Sequence, residues 1–375
     1  MLERLNTTTC QSKTCSTRRA HRVAALLAAA ALLSLASGCQ ILDKKPKTAA
    51  TGSKNSQSNS KTNTQAVITT PSGDRTVKTE PLAKGMDEVH RAKLLREQGL
   101  NEEALTQFMS AIEENPLLTT AYMGAGEILV EKGDLPAAEK NFGKAAELEP
   151  FNFNAQYWHA RVLQDLQQFS KAIQAYLRSL QLRPDSFEGN NGLAATYLQA
   201  GEPREALPYA QRAVELNPED YSARTTLGAI YAALNDHESA IVEYQQAAEM
   251  GELSPKLLLN LAESYGKTRR YDEMVNTLDE VVRREPTAAA YERMGSGLFR
   301  LSRFDEALES FTKATELDKN HYPAFNGVGV CLLQRWLASG QTDKLARDEG
   351  LRALRRSLQI KKDQPRVLEL VGRHQ

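Results

Sequence analysis

The chain has 375 residues, with 47 lysines and arginines against 47 aspartates and glutamates and aromatic residues at only 6%. A balanced charge with no basic stripe interleaved with aromatics argues against nucleic-acid binding. Four cysteines, Cys10, Cys15, Cys39 and Cys331, are too few and too dispersed to specify a disulfide framework.

The N-terminus reads as a targeting segment. Arg18, Arg19, His21 and Arg22 precede VAALLAAAALLSLAS. That run of about 15 apolar or small residues is short for a bilayer span and suited to a signal-peptide core. It closes on Leu35-Ala36-Ser37-Gly38-Cys39. These residues resemble the bacterial lipobox, in which small residues precede a cysteine that is lipid-modified and becomes the new N-terminus. The resemblance implies a lipoprotein signal peptide over 1–38 and lipidation at Cys39. The alternative is an ordinary secretory signal cut near Ala36 or Gly38, with Cys39 incidental. Arg18-Arg19 lacks the bulky residues that follow a twin-arginine pair, which favours general secretion. Cleavage would remove five basic residues and one acid (Glu3), leaving a net charge of about −4. Gln40, not aspartate, follows the cysteine. Under the sorting rule of enterobacteria-like envelopes this implies the outer membrane, facing the periplasm.

From Ile41 to about Lys84 the chain is rich in Lys, Ser, Thr, Asn and Gln and has no helical period. Such a segment cannot bury enough apolar surface to offset its ordering entropy. Residues 39–84 are therefore expected to be a disordered tether with a root-mean-square reach of roughly 35–40 Å. Its lysines suit a solvated spacer; the alternative is loose contact with anionic lipid or cell-wall polymer.

Beyond Gly85 the sequence repeats every 34 residues. A small residue recurs at Ala92, Gly126, Ala160, Ala194, Gly228 and Ala262, then at Gly295 and Gly329. A second recurs at Ala104, Ala138, Ala172, Ala206, Ala240 and Ala307, with Met274 in the sixth place. Four residues later stand Phe108, Phe142, Tyr176, Ala210, Tyr244, Leu278 and Phe311. Prolines close the units at Pro116, Pro150, Pro184, Pro218 and Pro286, with Glu252 where the sixth would fall. Small residues at two fixed places let paired helices approach closely, and the large one fills the space beside them. Gly99, Gly133, Gly201 and Asn235 stand where a left-handed residue would end each first helix.

At these residues the chain resembles the tetratricopeptide repeat (TPR) family. The resemblance implies an all-α solenoid, a right-handed superhelix of helix-turn-helix repeats over 85–375, with about eight repeats and a capping helix begun by PRVLELVGRHQ. It also implies that the first helices line a concave groove whose exposed positions choose a protein or peptide partner. Candidate groove residues are Met123, Glu127, Tyr157, Trp158, Arg161, Asn191, Asn260, Lys267, Arg293 and Arg300. They run from aromatic and acidic at the N-terminal end, through small and neutral, to basic. Tyr157, Trp158 and Arg161 form the best local hot spot, Tyr157 and Arg161 sharing a face with Trp158 at its edge; packing between repeats is the alternative for the aromatics. The lysine–asparagine set of carboxylate-clamp repeats is absent, and Asn260 is alone in its column, unlike the asparagine ladder of glycosyltransferase-associated repeats.

Two units depart from the pattern. The sixth has Met274 and a short exit loop, which suggests a change of curvature between Lys256 and Pro286. The eighth carries about nine extra residues, with RWLASGQTD expected in its turn. No HExxH, CxxC or paired His–carboxylate motif occurs, and Met294-Gly295-Ser296-Gly297 lies within a helical pattern and not at a strand-to-helix turn. His159 reads as a packed core histidine and Cys331 as a small buried hydrophobe. The expectation is a non-enzymatic, membrane-anchored scaffold or adaptor of the bacterial cell envelope, without cofactor, metal, nucleic acid or small-molecule substrate. Alternatives are a pilotin-like assembly factor for secretion or pilus machinery and a self-associating structural envelope protein.

Overall fold

The computed structural model describes residues 85–251 and 253–374. The signal segment, Cys39, the tether and Glu252 lie outside the described residues. Among those described, every regular element is a helix, arranged in successive pairs. The pairs are α1 (Met86–Glu97) with α2 (Asn101–Glu114), α3 (Thr119–Glu131) with α4 (Leu135–Leu148), and α5 (Phe153–Asp165) with α6 (Phe169–Leu182). They continue as α7 (Phe187–Gln199) with α8 (Pro203–Leu216), α9 (Tyr221–Ala233) with α10 (His237–Met250), and α11 (Pro255–Lys267) with α12 (Tyr271–Arg284). The last are α13 (Ala288–Arg300) with α14 (Phe304–Leu317) and α15 (Tyr322–Ala338) with α16 (Lys344–Ile360), followed by a single helix α17 (Pro365–Arg373).

The recurring small and large residues explain the pairing. A Cβ added to Gly126 would lie 2.8 Å from the Phe142 ring, one on Gly228 2.7 Å from Tyr244, and one on Gly295 2.9 Å from Phe311. The large residue of each second helix thus fills the space left by the small residue of its own first helix. It also reaches forward into the next unit: Gly124 would meet Phe108 at 2.3 Å, Gly192 would meet Tyr176 at 2.6 Å, and Gly327 would meet Phe311 at 2.4 Å. Each such ring is a wedge held between two first helices. The second small residues Ala104, Ala138, Ala172, Ala206, Ala240 and Ala307 are completely buried, as close helix crossing requires.

Helix ends follow local chemistry. Asp134, Asn152, Ser186, Asp220, Asp236, Ser254, Thr287 and Asp343 each accept from a backbone N–H of the first turn that follows, each cap contributing about 1 kcal/mol. The turn within a pair carries a left-handed residue, as expected at Gly99, Gly133, Gly201 and Asn235. The same place is also left-handed at Gln167 (φ 58°), Arg269 (φ 61°) and Ser302 (φ 61°), where the side chain opposes that backbone.

First helices also touch first helices across successive units, as α1 with α3, α5 with α7, α7 with α9, α9 with α11 and α13 with α15. This puts them on the inner, crowded side of the array. The first unit is built as an end. Where later first helices bury Ala121, Ala155, Ala223 or Leu257 against the preceding pair, α1 presents exposed Asp87; where they bury Ala125, Leu193, Leu227 or Leu261, it presents exposed Arg91. A polar outer face is what a solenoid needs where, as among the described residues here, no repeat precedes it.

The eighth unit differs from the expectation of an insertion in its turn. The eighth unit's extra residues do not form a long turn. α15 and α16 each have 17 residues, whereas α13 has 13 and α14 has 14, and Trp336 is buried on α15. The apolar face simply continues from Leu332 and Leu333 to Trp336, so nearly two extra turns form where a loop was expected. α17 is fastened to this pair. Gln364 is buried, donates to Ser357 Oγ at 2.9 Å and to the Lys361 carbonyl at 2.8 Å, and accepts from Asn326 at 2.8 Å. The His374 ring packs edge-on to Trp336 at 5.4 Å. In the sixth unit, Met274 is accommodated by two glycines: its Sδ lies 3.1 Å from where a Gly266 Cβ would be and 3.5 Å from that of Gly297. No described helix is long and apolar enough to cross a membrane.

Candidate functional site

Polar contacts between first helices define one continuous face. Arg96 of α1 binds Glu127 and, at 3.0 Å, Glu131 of α3. Gln164 of α5 donates to Gln199 of α7 at 3.1 Å, and Arg293 of α13 lies 3.9 Å from Glu263 of α11. Pairs from neighbouring first helices can meet only if their columns point to the same side. The residues one, four and five places after each first small residue therefore share that side.

At its N-terminal end the face encloses a cavity of about 550 Å³. Lys93, Arg96, Glu97, Met123 and Glu127 line it, and Phe108 forms the floor beneath Gly124. The acidic character expected here is largely neutralised, because Arg96 holds both Glu127 and Glu131. Lys93 and Arg96 escaped the sequence reading. Lys93 would have appeared had the groove columns been followed back into the first unit, where it is one place after Ala92; Arg96, four places after Ala92, falls between those columns.

The third unit supplies the aromatics. Trp158 stacks on Phe142 of the preceding pair, 5.8 Å between centroids and 12° between planes. Tyr157 meets Trp158 edge-on at 5.7 Å, Tyr176 edge-on at 6.1 Å, and stacks on Phe153 at 5.9 Å. Both rings are half-buried; Trp158 joins the third unit to the second, whereas the ring contacts of Tyr157 lie within the third unit. Arg161 is exposed, and its guanidinium lies 5.1 Å above the Trp158 ring. Of the two aromatics, it is Trp158, one turn before Arg161 at i,i+3, that its guanidinium covers.

The middle of the face is small: Gly192, Ala195, Thr225, Ala229 and Ala233. Asn191 is half-buried there, and its Oδ1 is buried without a hydrogen-bond partner. Asn260 lies beside the Tyr244 hydroxyl, on the wedge of the preceding pair. Lys267 and Arg300 occupy equivalent places on adjacent first helices and are exposed, with no ion-pair partner among the described residues. The ten residues singled out thus run along several units. The structure joins Tyr157, Trp158 and Arg161 directly, but the acidic and basic ends stay apart.

The face offers stacking, hydrogen bonding and cation pairing. Among the described residues, no group of three or more His, Cys, Asp or Glu side chains could hold a metal ion. His159 sits 3.4 Å from Glu139, yet burial holds its pKa below the usual value. Burial pushes the Cys331 thiol up to about 12, so it is inert as a nucleophile.

Models of the tetratricopeptide repeat match residues 90–147, 129–187, 191–256, 256–288 and 288–321. No curated protein sequence matches the chain. Among solved structures it is similar to a tetratricopeptide repeat protein from Parabacteroides merdae, at 17% identity over 66% of this chain and 98% of that one, with a TM-score of 0.49. It is also similar to YrrB, described as a TPR protein with an unusual peptide-binding site, at 20% identity over 53% of this chain and 98% of that one (TM-score 0.46). A third is PilF of Pseudomonas aeruginosa, at 18% identity over 54% of this chain and 92% of that one (TM-score 0.47).

Proposed function

Because the chain belongs to the tetratricopeptide repeat family, whose arrays serve as protein–protein interaction scaffolds, we propose that its first-helix face binds a segment of a partner protein. The observation that carries this reading is Arg161. It is exposed, oriented by Trp158 at 5.1 Å, and has no ion-pair partner among the described residues. Arginine held against an aromatic, beside half-buried tyrosine, is the side-chain chemistry that dominates interface hot spots. On this reading the protein is a binding scaffold and not an enzyme.

We propose further that the scaffold is tethered in the bacterial cell envelope through lipid on Cys39, at the outer membrane and facing the periplasm. The Leu35-Ala36-Ser37-Gly38-Cys39 run and Gln40 support that assignment. Residues 40–84 then give the array its reach from the membrane.

Affinity purification of the anchored protein from its own membranes supplies the partner for the test. Arg161→Ala should weaken that partner's binding by about 2 kcal/mol while leaving the melting temperature unchanged. Tyr157→Ala is the poorer probe, because its ring contacts three others and its loss would cost stability. If Arg161→Ala leaves affinity unchanged, the partner docks elsewhere. Cys39→Ala should release the chain, or its precursor, from normal anchoring; unaltered membrane attachment would refute the lipid assignment.

A further inference from the structure

The carboxylates of the first-helix face are mostly engaged. Arg96 holds Glu127 and Glu131, Glu263 faces Arg293, Ser296 donates to Glu292 and Ser186 donates to Glu188. Glu97 and Asp165 are the exceptions; both are exposed, and Asp165 lies one turn from Arg161 without pairing to it. Apart from Lys93 at the N-terminal cavity, three exposed cations stand on the same face with no carboxylate partner among the described residues: Arg161 in the third unit, Lys267 in the sixth and Arg300 in the seventh. Between them the floor is Gly192, Ala195, Thr225, Ala229 and Ala233, which leaves room for a backbone and offers no charge.

Packed helices stand roughly 10 Å apart, so the three steps from Arg161 to Lys267 cover about 30 Å. A chain extended at ~3.3 Å per residue crosses that distance in about nine residues. We propose that the face takes an extended acidic segment, its carboxylates about nine residues apart, reaching Arg161 at one end and Lys267 with Arg300 at the other. Small residues lie between them, and a bulky or basic side chain there finds neither space nor a partner. The inference rests on the reading of this face as the docking surface, and it adds the chemistry and length of the occupant.

A phage library of random 16-residue peptides, panned against the full chain in mild detergent, provides the test. Enriched sequences should carry Asp or Glu at two places separated by about eight to ten residues, with small residues between. An enriched peptide, made synthetically, should bind about tenfold or more weakly to Arg161→Ala and to Lys267→Ala/Arg300→Ala at unchanged melting temperature. Its affinity should also fall as salt rises. Enrichment without acids, acids at no preferred spacing, charge variants that bind equally well, or no enrichment at all would each overturn the proposal. A photo-crosslinker in the peptide separates the two readings. Neutral peptides crosslinked to α7 and α9 leave the docking face standing and sink the acidic occupant. Acidic peptides crosslinked only to second helices sink the face itself.

Discussion

Replacing Met274 by alanine would restore the residue that every earlier repeat carries at that place, and by sequence pattern alone it should stabilise. The structure requires the opposite. Gly266 and Gly297, both on first helices, stand where the Met274 thioether reaches, with Sδ at 3.1 and 3.5 Å from their would-be Cβ positions. Earlier repeats fill the Gly297 place with larger groups, such as Ile128, Val162 and Ile230, all completely buried. Alanine at 274 would therefore leave a void walled by two glycines that cannot fill it. Three heavy atoms are lost from a half-buried side chain. At ~0.8 kcal/mol per buried methylene, with a partial cavity term and a small gain in helix propensity, the net cost is about 1–2 kcal/mol. Urea unfolding followed by circular dichroism should show the lower midpoint, and hydrogen exchange should quicken first in α12 and α13. Gly297→Ala alone should also destabilise, because its Cβ would lie 2.9 Å from Val275. In the double variant the costs should fall short of additive, since the vacated space lets Val275 move. A neutral or stabilising Met274→Ala would refute this account of the sixth repeat.

Three further outcomes are expected. Gln167→Gly, Arg269→Gly and Ser302→Gly should each raise stability by about 0.5–1 kcal/mol in urea titrations, because glycine relieves a left-handed backbone at φ 58–61°; a loss at all three would refute the strain argument. His159, flanked by Glu139, Lys171 and Arg178, has its pKa lowered chiefly by burial. In the pH range below its usual value the unfolded chain binds the extra proton, so this contribution to stability is present at neutral pH and is lost as pH falls through about 6.5. Replacing His159 with leucine should flatten the stability profile between pH 7 and pH 5, which paired denaturation curves would reveal. Cys331 is 2% exposed, its thiol raised to about 12, and should resist alkylation in the native chain while reacting readily in urea, as mapped by peptide mass.

Much of this architecture is legible in the sequence because the repeat converts single residues into columns. One glycine opposite one phenylalanine means little, but Gly126, Gly228 and Gly295 opposite Phe142, Tyr244 and Phe311 specify a crossing. Two kinds of feature stayed hidden. Insertion length does not say whether residues form a loop or extend a helix, and only the apolar spacing from Leu332 and Leu333 to Trp336 carries that information. Compensation is also distributed: Met274, Gly266 and Gly297 belong to three helices, and none is unusual by itself. The binding face was legible as a set of columns but not as a pattern of occupancy. Whether Glu127 is free depends on Arg96, 31 residues away, and whether Trp158 is available depends on Phe142.

Linear arrays ordinarily loosen from their ends, since a terminal unit has one neighbour and an interior unit has two. The contacts of Gln364 with Ser357 and Asn326, together with the Trp336–His374 packing, give the final pair a second neighbour made from nine residues of helix. Loss of order at that end is thereby restrained. The first pair, α1 with α2, has no such addition among the described residues and packs on a single neighbouring pair. The two ends of one linear array are therefore unequal in what holds them. Opening should run from α1 and α2 inward, while the end closed by α17 is the last to give way.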